Sequence, residues 1–316
     1  MRQFLPLSTI VGVLCFCGVS AHAFDSAGWA DRMASPDENT RTAAVQELHG
    51  LNGSEKEQAA AILGSVLHRG PVQAQRAAQA LTALGPAAEP ALLDLIYALS
   101  YDEESVAVAV SSVVVPMGGH AVSALRRTLD DPNFFIRRRA ADILGQIGPA
   151  AAPATKSLVG CLNDPQYEVK EAAQKAIIRI GPSAITELED AYPNLEEALR
   201  RTVVQMLGKY GPPAVPTLIN IAKKDPSGFV RVKAMETLAQ IQPVSKEGLQ
   251  VFIASLSDMD EGVRGAAADA LGTVGHNAQP AVSKLKRMAT GDPDSLVRQK
   301  ASDALSVIVS SETSKK

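Results

Sequence analysis

One unit recurs along this chain, and that repetition limits what it can fold into more than any other feature. The segment Ile136-Arg137-Arg138-Arg139-Ala140-Ala141-Asp142-Ile143-Leu144-Gly145-Gln146-Ile147-Gly148 reappears with variation. Its first apolar position, the anchor, falls at Ile136, Val169, Leu199, Val230, Val263 and Val297, with less regular copies anchored at Thr40, Gln73 and Val106. The nine anchors are 33, 33, 30, 33, 30, 31, 33 and 34 residues apart. A chain of 316 residues exceeds one ordinary core, and a regular period of this size predicts a stack of small units instead.

Within each copy, apolar residues fall at the anchor and four, eight and eleven positions later, which is one stripe of an α-helix. Glycine stands at the twelfth position in Gly85, Gly118, Gly148, Gly181, Gly211 and Gly275, where a left-handed helix cap is expected. Proline follows directly at Pro86, Pro149, Pro182 and Pro212, and again at Pro90, Pro153, Pro216 and Pro280, suited to the first turn of another helix. That second apolar stretch ends at Asp131-Pro132, Asp164-Pro165, Asp225-Pro226 and Asp292-Pro293. Each unit therefore reads as two antiparallel helices. With aromatic residues at 4%, a β-sandwich or barrel is disfavoured.

The pattern Val/Ile-Arg-x-x-Ala-x-x-x-Leu-Gly-x-Ile-Gly, the following proline and the closing aspartate resemble HEAT repeats, and specifically the HEAT-like repeats named after phycobilisome lyases. The resemblance spans residues 36 to 309. It implies an all-α, right-handed α-solenoid of about nine two-helix repeats, a fold that mostly serves as a scaffold for protein partners. Two enzyme types on such arrays form the rival reading. Deoxyhypusine hydroxylases build iron sites from His-Glu pairs, but His49, His68, His120 and His276 precede Gly50, Arg69, Ala121 and Asn277. Chromophore lyases hold a flat tetrapyrrole, for which few aromatic side chains are present. No catalytic residue, metal site or cofactor is expected.

The first residues read as an address. Arg2 precedes a largely apolar run from Phe4 to Val19, closed by Ser20-Ala21-His22-Ala23, a small-x-small site for signal peptidase. The expected organisation is a cleaved signal peptide over 1–23, a solenoid over 24–309 and a disordered polar tail over 310–316. The protein is then exported, periplasmic or secreted. A membrane anchor is disfavoured by the run's short length and by Pro6, Ser8 and Thr9. A lipid on Cys17 is disfavoured by the bulky Phe16. Cleavage removes Arg2 and no acid, leaving 30 basic and 34 acidic residues. Cys161 is the one cysteine that remains, in an apolar pattern that predicts burial.

Asp131 with Arg137, Asp164 with Lys170, Asp225 with Arg231, Asp258 with Arg264 and Asp292 with Arg298 form a series six residues apart. Its repetition points to stacking, the aspartate capping a helix and bonding the nearby arginine. Positions two, three, six and ten after each anchor miss the apolar stripe and should face outward on a concave ridge. In repeats four to seven they include seven basic residues, Arg138, Arg139, Lys175, Arg179, Arg201, Lys209 and Lys233, against Asp142, Glu171 and Glu236. Two readings stand: a solvated face, or a groove for a protein partner with an acidic surface or segment. Nucleic acid is disfavoured by the export signal and the missing stacking aromatics. A monomer without a stable membrane span is expected. The third repeat is unusual, because Val106 to Val115 is rich in β-branched residues and Pro116 should end its helix.

Overall fold

The computed structural model describes residues 26–313. The expected signal segment over 1–23 and the last three residues lie outside them. Eighteen α-helices and no strands are present among the described residues. They pair into the nine expected repeats. These are α1 (Ser26–Ala34) with α2 (Glu38–Gly50), α3 (Gly53–Val66) with α4 (Pro71–Leu84), and α5 (Leu92–Ala98) with α6 (Glu104–Val114). The fourth to sixth pairs are α7 (Gly119–Thr128) with α8 (Phe134–Ile147), α9 (Thr155–Cys161) with α10 (Tyr167–Ile180), and α11 (Ile185–Ala191) with α12 (Glu197–Tyr210). The last three are α13 (Val215–Lys224) with α14 (Gly228–Gln240), α15 (Lys246–Ser255) with α16 (Glu261–Val274), and α17 (Val282–Gly291) with α18 (Ser295–Thr313).

The twelfth-position glycines set the turn between repeats. All six have positive φ, from 56° to 72°. Their ψ lies between −128° and −152°, so they occupy the mirror image of the β region rather than a left-handed helical cap. A side chain is strained there, which makes glycine obligatory at each of these turns. Three-residue-per-turn segments such as Gly85–Ala91, Gly148–Ala154 and Gly275–Ala281 follow, and they hold Pro90, Pro153 and Pro280 just before the α-helix begins.

The expected stripe is the core. Ala140, Leu144, Ala173, Ile177, Val203, Leu207, Ala267 and Leu271 are buried between the two helix rows. Cys161 is buried as well, and desolvation pushes its thiol up to about 11, which leaves it an apolar filler. Trp29 and Met33 close the N-terminal end, the Trp29 indole donating to the Ala44 carbonyl at 2.9 Å. In the third repeat α6 stops at Val114 and Val115-Pro116-Met117 forms a tight turn, as Pro116 requires. At the other end α18 runs to Thr313, so residues 310–313 continue a helix where a disordered tail was expected. No glycine stands twelve residues after Val297; Val309 does, and it lets the helix continue.

The arginine–aspartate series takes a different form from the one expected. Arg137 does donate to the residue six before it, but to the Asp131 main-chain carbonyl at 2.7 Å. Its remaining N–H groups grip the Asp164 carboxylate of the following repeat at 2.7 and 2.9 Å. Arg200 holds Asp225, Arg231 holds Asp258 and Arg264 holds Asp292 in the same way. Each aspartate also accepts the amide two residues on, as Asp164 does from Gln166, so it fixes the turn ahead of the helix rather than capping it. The ladder thus ties the fourth repeat to the fifth, and the sixth through the ninth to one another, along one edge. Between the fifth and sixth repeats Lys170 and Asn194 stand at its two positions.

Candidate partner-binding surface

Successive even-numbered helices pack against one another more extensively than the odd-numbered ones do. The even helices form one continuous row, the second helices of the pairs, and it is this row that the repeat pattern expects to line the concave, inner face. Glycine nine positions after an anchor lets the next even helix come close. Gly145 lets α10 approach so closely that a Cβ there would stand 2.8 Å from the Ala176 Cα. A Cβ at Gly208 would stand 2.6 Å from a Thr237 methyl, and one at Gly272 would stand 3.5 Å from the Ala304 Cα. Val115 and Ile178 occupy the same position in the third and fifth repeats. At those two junctions, α6 with α8 and α10 with α12, the helices pack less extensively.

Clefts open accordingly. One of about 450 Å³ lies between α6 and α8, lined by Val108, Val115, Pro116, Arg139, Asp142 and Gln146 among others. A second, about 270 Å³, runs from α10 to α14 past Ile178, Lys209 and Gln240. A third, about 550 Å³, lies over α16, where Gly262, Ala266 and Ala270 leave a hollow bordered by Glu236, Asp269 and Lys300. Gln146, Lys209, Gln240 and Thr273 all stand ten residues after their anchors and all line clefts. Arg179 holds that same position in α10.

The seven basic residues do not form one uniform ridge. Arg139 is only 3% exposed, which corrects its outward assignment. Three residues from an anchor is about 60° around the helix from it, so that position meets the preceding repeat; Ala109, Ala172 and Ala266 are buried there too. The Arg139 guanidinium donates to the main-chain carbonyls of Leu99, Tyr101 and Asp102 and to Glu104, and so holds the end of the third repeat's first helix. Arg138 pairs with Glu104 at 3.1 Å, Lys175 with Glu171 at 2.7 Å, Arg201 with Glu197 at 3.9 Å and Lys233 with Glu236 at 3.2 Å. Arg179 and Lys209 are exposed and make no ion pair among the described residues. The excess positive charge therefore narrows to these two. Burial raises the Asp142 carboxyl pKa, opposed by the nearby charges of Arg138, Arg179 and Lys175.

Sequence reasoning placed Arg138, Lys175, Arg179, Arg201, Lys209 and Lys233 on the concave side but missed the clefts between helices. The ninth-position column was the available signal, since glycine alternates there with branched residues. Among the described residues, no three His, Cys, Asp or Glu side chains are grouped to hold a metal ion. No helix among them is long and apolar enough to cross a membrane.

The model of HEAT repeats matches residues 94–178 and 215–306, together more than half of the chain. The narrower phycobilisome-lyase subtype is not established by that match. No curated protein matches at a significant level. Among solved structures, human deoxyhypusine hydroxylase is 23% identical with a TM-score of 0.33, covering 81% of this chain and 98% of its own. An archaeal HEAT-like repeats protein from Thermococcus onnurineus is 15% identical with a TM-score of 0.39, over 70% of this chain and 97% of its own. A chain from a structure of microtubule polymerases with TOG domain arrays is 14% identical with a TM-score of 0.44, over 89% and 77%.

Proposed function

The chain belongs to the HEAT-repeat family, and on that premise we propose that it is an exported, non-catalytic scaffold whose concave face binds a protein partner carrying an acidic segment. The observation that carries this reading is the pair Arg179 and Lys209. Both are exposed on the inner row, unpaired among the described residues, on a face whose other cations are neutralised locally. Unpaired surface cations add little to fold stability and are free to steer an acidic partner. Export is supported by the apolar run and small-x-small site before Phe24. Intact-mass analysis of the protein from its native cells tests it, since a chain retaining residues 1–23 contradicts export by cleavage.

Binding is tested by capture from the native compartment with the wild type and with Arg179→Glu, Arg201→Glu and Lys209→Glu combined. Arg139 is left intact because it holds the fold. The triple variant should keep its helicity and unfolding midpoint. Its association with the captured partner should slow several-fold, and the wild-type rate should fall steeply with salt. Equal rates at low salt would remove the concave charges from the binding site.

A further inference from the structure

The cleft between α6 and α8 has an apolar wall on its α6 side and a polar wall formed by Arg139, Asp142 and Gln146 of α8. Val108 is 63% exposed and lines the cleft between α6 and α8 together with Ala107, Val115 and Pro116. The other two inner clefts also mix apolar with charged and amide side chains, but neither holds an exposed branched residue flanked by a proline turn. This cleft is fixed in shape. Val115 and Pro116 occupy its upper wall in a turn that proline locks, and Arg139 ties α8 to the third repeat through three main-chain carbonyls. A volume of about 450 Å³ is ample for one large side chain.

We propose that this cleft is the anchor point of the partner: it takes one large apolar side chain from an extended segment that then runs along the inner row toward α12. The inference rests on the concave-face reading above and adds its register. Charge complementarity sets the direction. The unpaired cations Arg179 and Lys209 lie on the C-terminal side of the cleft, on α10 and α12. At the cleft's own edge the third-repeat turn carries Asp102, Glu103 and Glu104, which disfavour an acidic residue beside the apolar one. Helices spaced about 8–10 Å apart put Arg179 roughly 12–15 Å from the cleft and Lys209 roughly 20–25 Å from it. An extended chain advances about 3.3 Å per residue, so the acidic residues should stand about four and about seven positions from the apolar one. The bound segment is therefore a linear motif: one large apolar residue, a polar spacer, then Asp or Glu at those two spacings.

A displayed library of random twelve-residue peptides, selected on the purified protein, tests this. Val108→Asp should leave the unfolding midpoint unchanged, because the side chain is largely exposed. Enriched peptides should share the apolar residue with an acidic residue about four or seven positions away. Their affinity should drop at least tenfold for Val108→Asp and several-fold for Arg179→Glu. Peptides that bind Val108→Asp as tightly as wild type, or a selection without enrichment, would overturn the proposal. The partner captured in the preceding experiment separates the two readings. If the triple charge variant loses that partner while Val108→Asp keeps it, the concave face stands and the apolar anchor falls. If neither variant loses it, both fall.

Discussion

Asp225 is the most heavily used carboxylate of the ladder, and its removal measures what the ladder contributes. Its side chain is 0% exposed. It accepts from Arg200 Nε at 2.9 Å and Nη2 at 3.3 Å, from the Tyr192 hydroxyl at 2.6 Å and from the Ser227 amide at 2.9 Å. Asp225→Ala leaves the Arg200 guanidinium, 15% exposed, with the Leu195 carbonyl as its remaining acceptor. Breaking a buried ion pair from one side costs about 3–5 kcal/mol, because the surviving charge stays desolvated. Asp225→Asn keeps an acceptor for Ser227 and should lose about half as much. The Tyr192 pKa, raised by burial and by its bond to Asp225, should fall in both variants. Repeat arrays open in sections, so amide exchange is the suitable assay. Protection should fall first in α12 to α14 and least in α17 and α18. An Asp225→Ala protein within about 0.5 kcal/mol of wild type would show that the ladder follows stacking rather than stabilising it.

Three further outcomes follow from the same geometry. Gly145→Val drives a side chain into the Ala176 backbone and should cost about 1–3 kcal/mol. Gly160→Ala has open space around it and should instead gain up to about 1 kcal/mol, so urea midpoints of opposite sign check the close-approach argument. Leu144→Ala should cost about 2–5 kcal/mol by opening a cavity between the rows, and an unchanged midpoint would mean the helical phase is wrong. The Asp164 and Asp292 pKa values are held below 3.8 by their bonds to Arg137 and Arg264. Their stabilisation is complete above about pH 4 and is lost as pH falls through the lowered values. Asp292→Asn should flatten that acid limb in pH-dependent unfolding.

The architecture was legible because one helical period and one glycine column recur in the chain. The stripe at the anchor and at four and eight residues beyond it marks the core, and the twelfth-position glycines mark the turns. Arg139 misled because a polar residue off the stripe reads as solvent-facing, whereas in a stacked array that flank meets the preceding repeat. Its partners are carbonyls, which carry no sequence signature. The Asp–Arg series misled through ambiguity. Arg137, Arg231 and Arg264 each have an aspartate six residues before them and another 27 or 28 residues after them. Spacing alone favours the nearer one, but the folded turn presents only that residue's carbonyl. The clefts were hidden because they follow from local side-chain size and helix spacing, and periodicity records what packs together.

Of the eight junctions, four carry the ladder, and those with Val115 and Ile178 at the ninth position are among the four that do not. An arginine reaches the next repeat's aspartate only when the two repeats lie close. At the loosely packed α6–α8 junction the ladder position holds Ala107; at the α10–α12 junction the ladder holds Lys170 and Asn194. Each junction is spanned instead by one long side chain reaching backward to main-chain oxygen. Arg139 does this from α8, and Tyr210 does it from α12, donating to the Ile177 carbonyl at 2.7 Å. A carbonyl acceptor is indifferent to which side chain surrounds it, so such a bond tolerates a wide junction that a carboxylate ladder does not. The array therefore keeps its stacking on the turn edge and in the core, while the spacing of its inner helices varies from repeat to repeat. That separation lets a uniform stack present a half-apolar cleft at one junction and two unpaired cations on the helices beyond it.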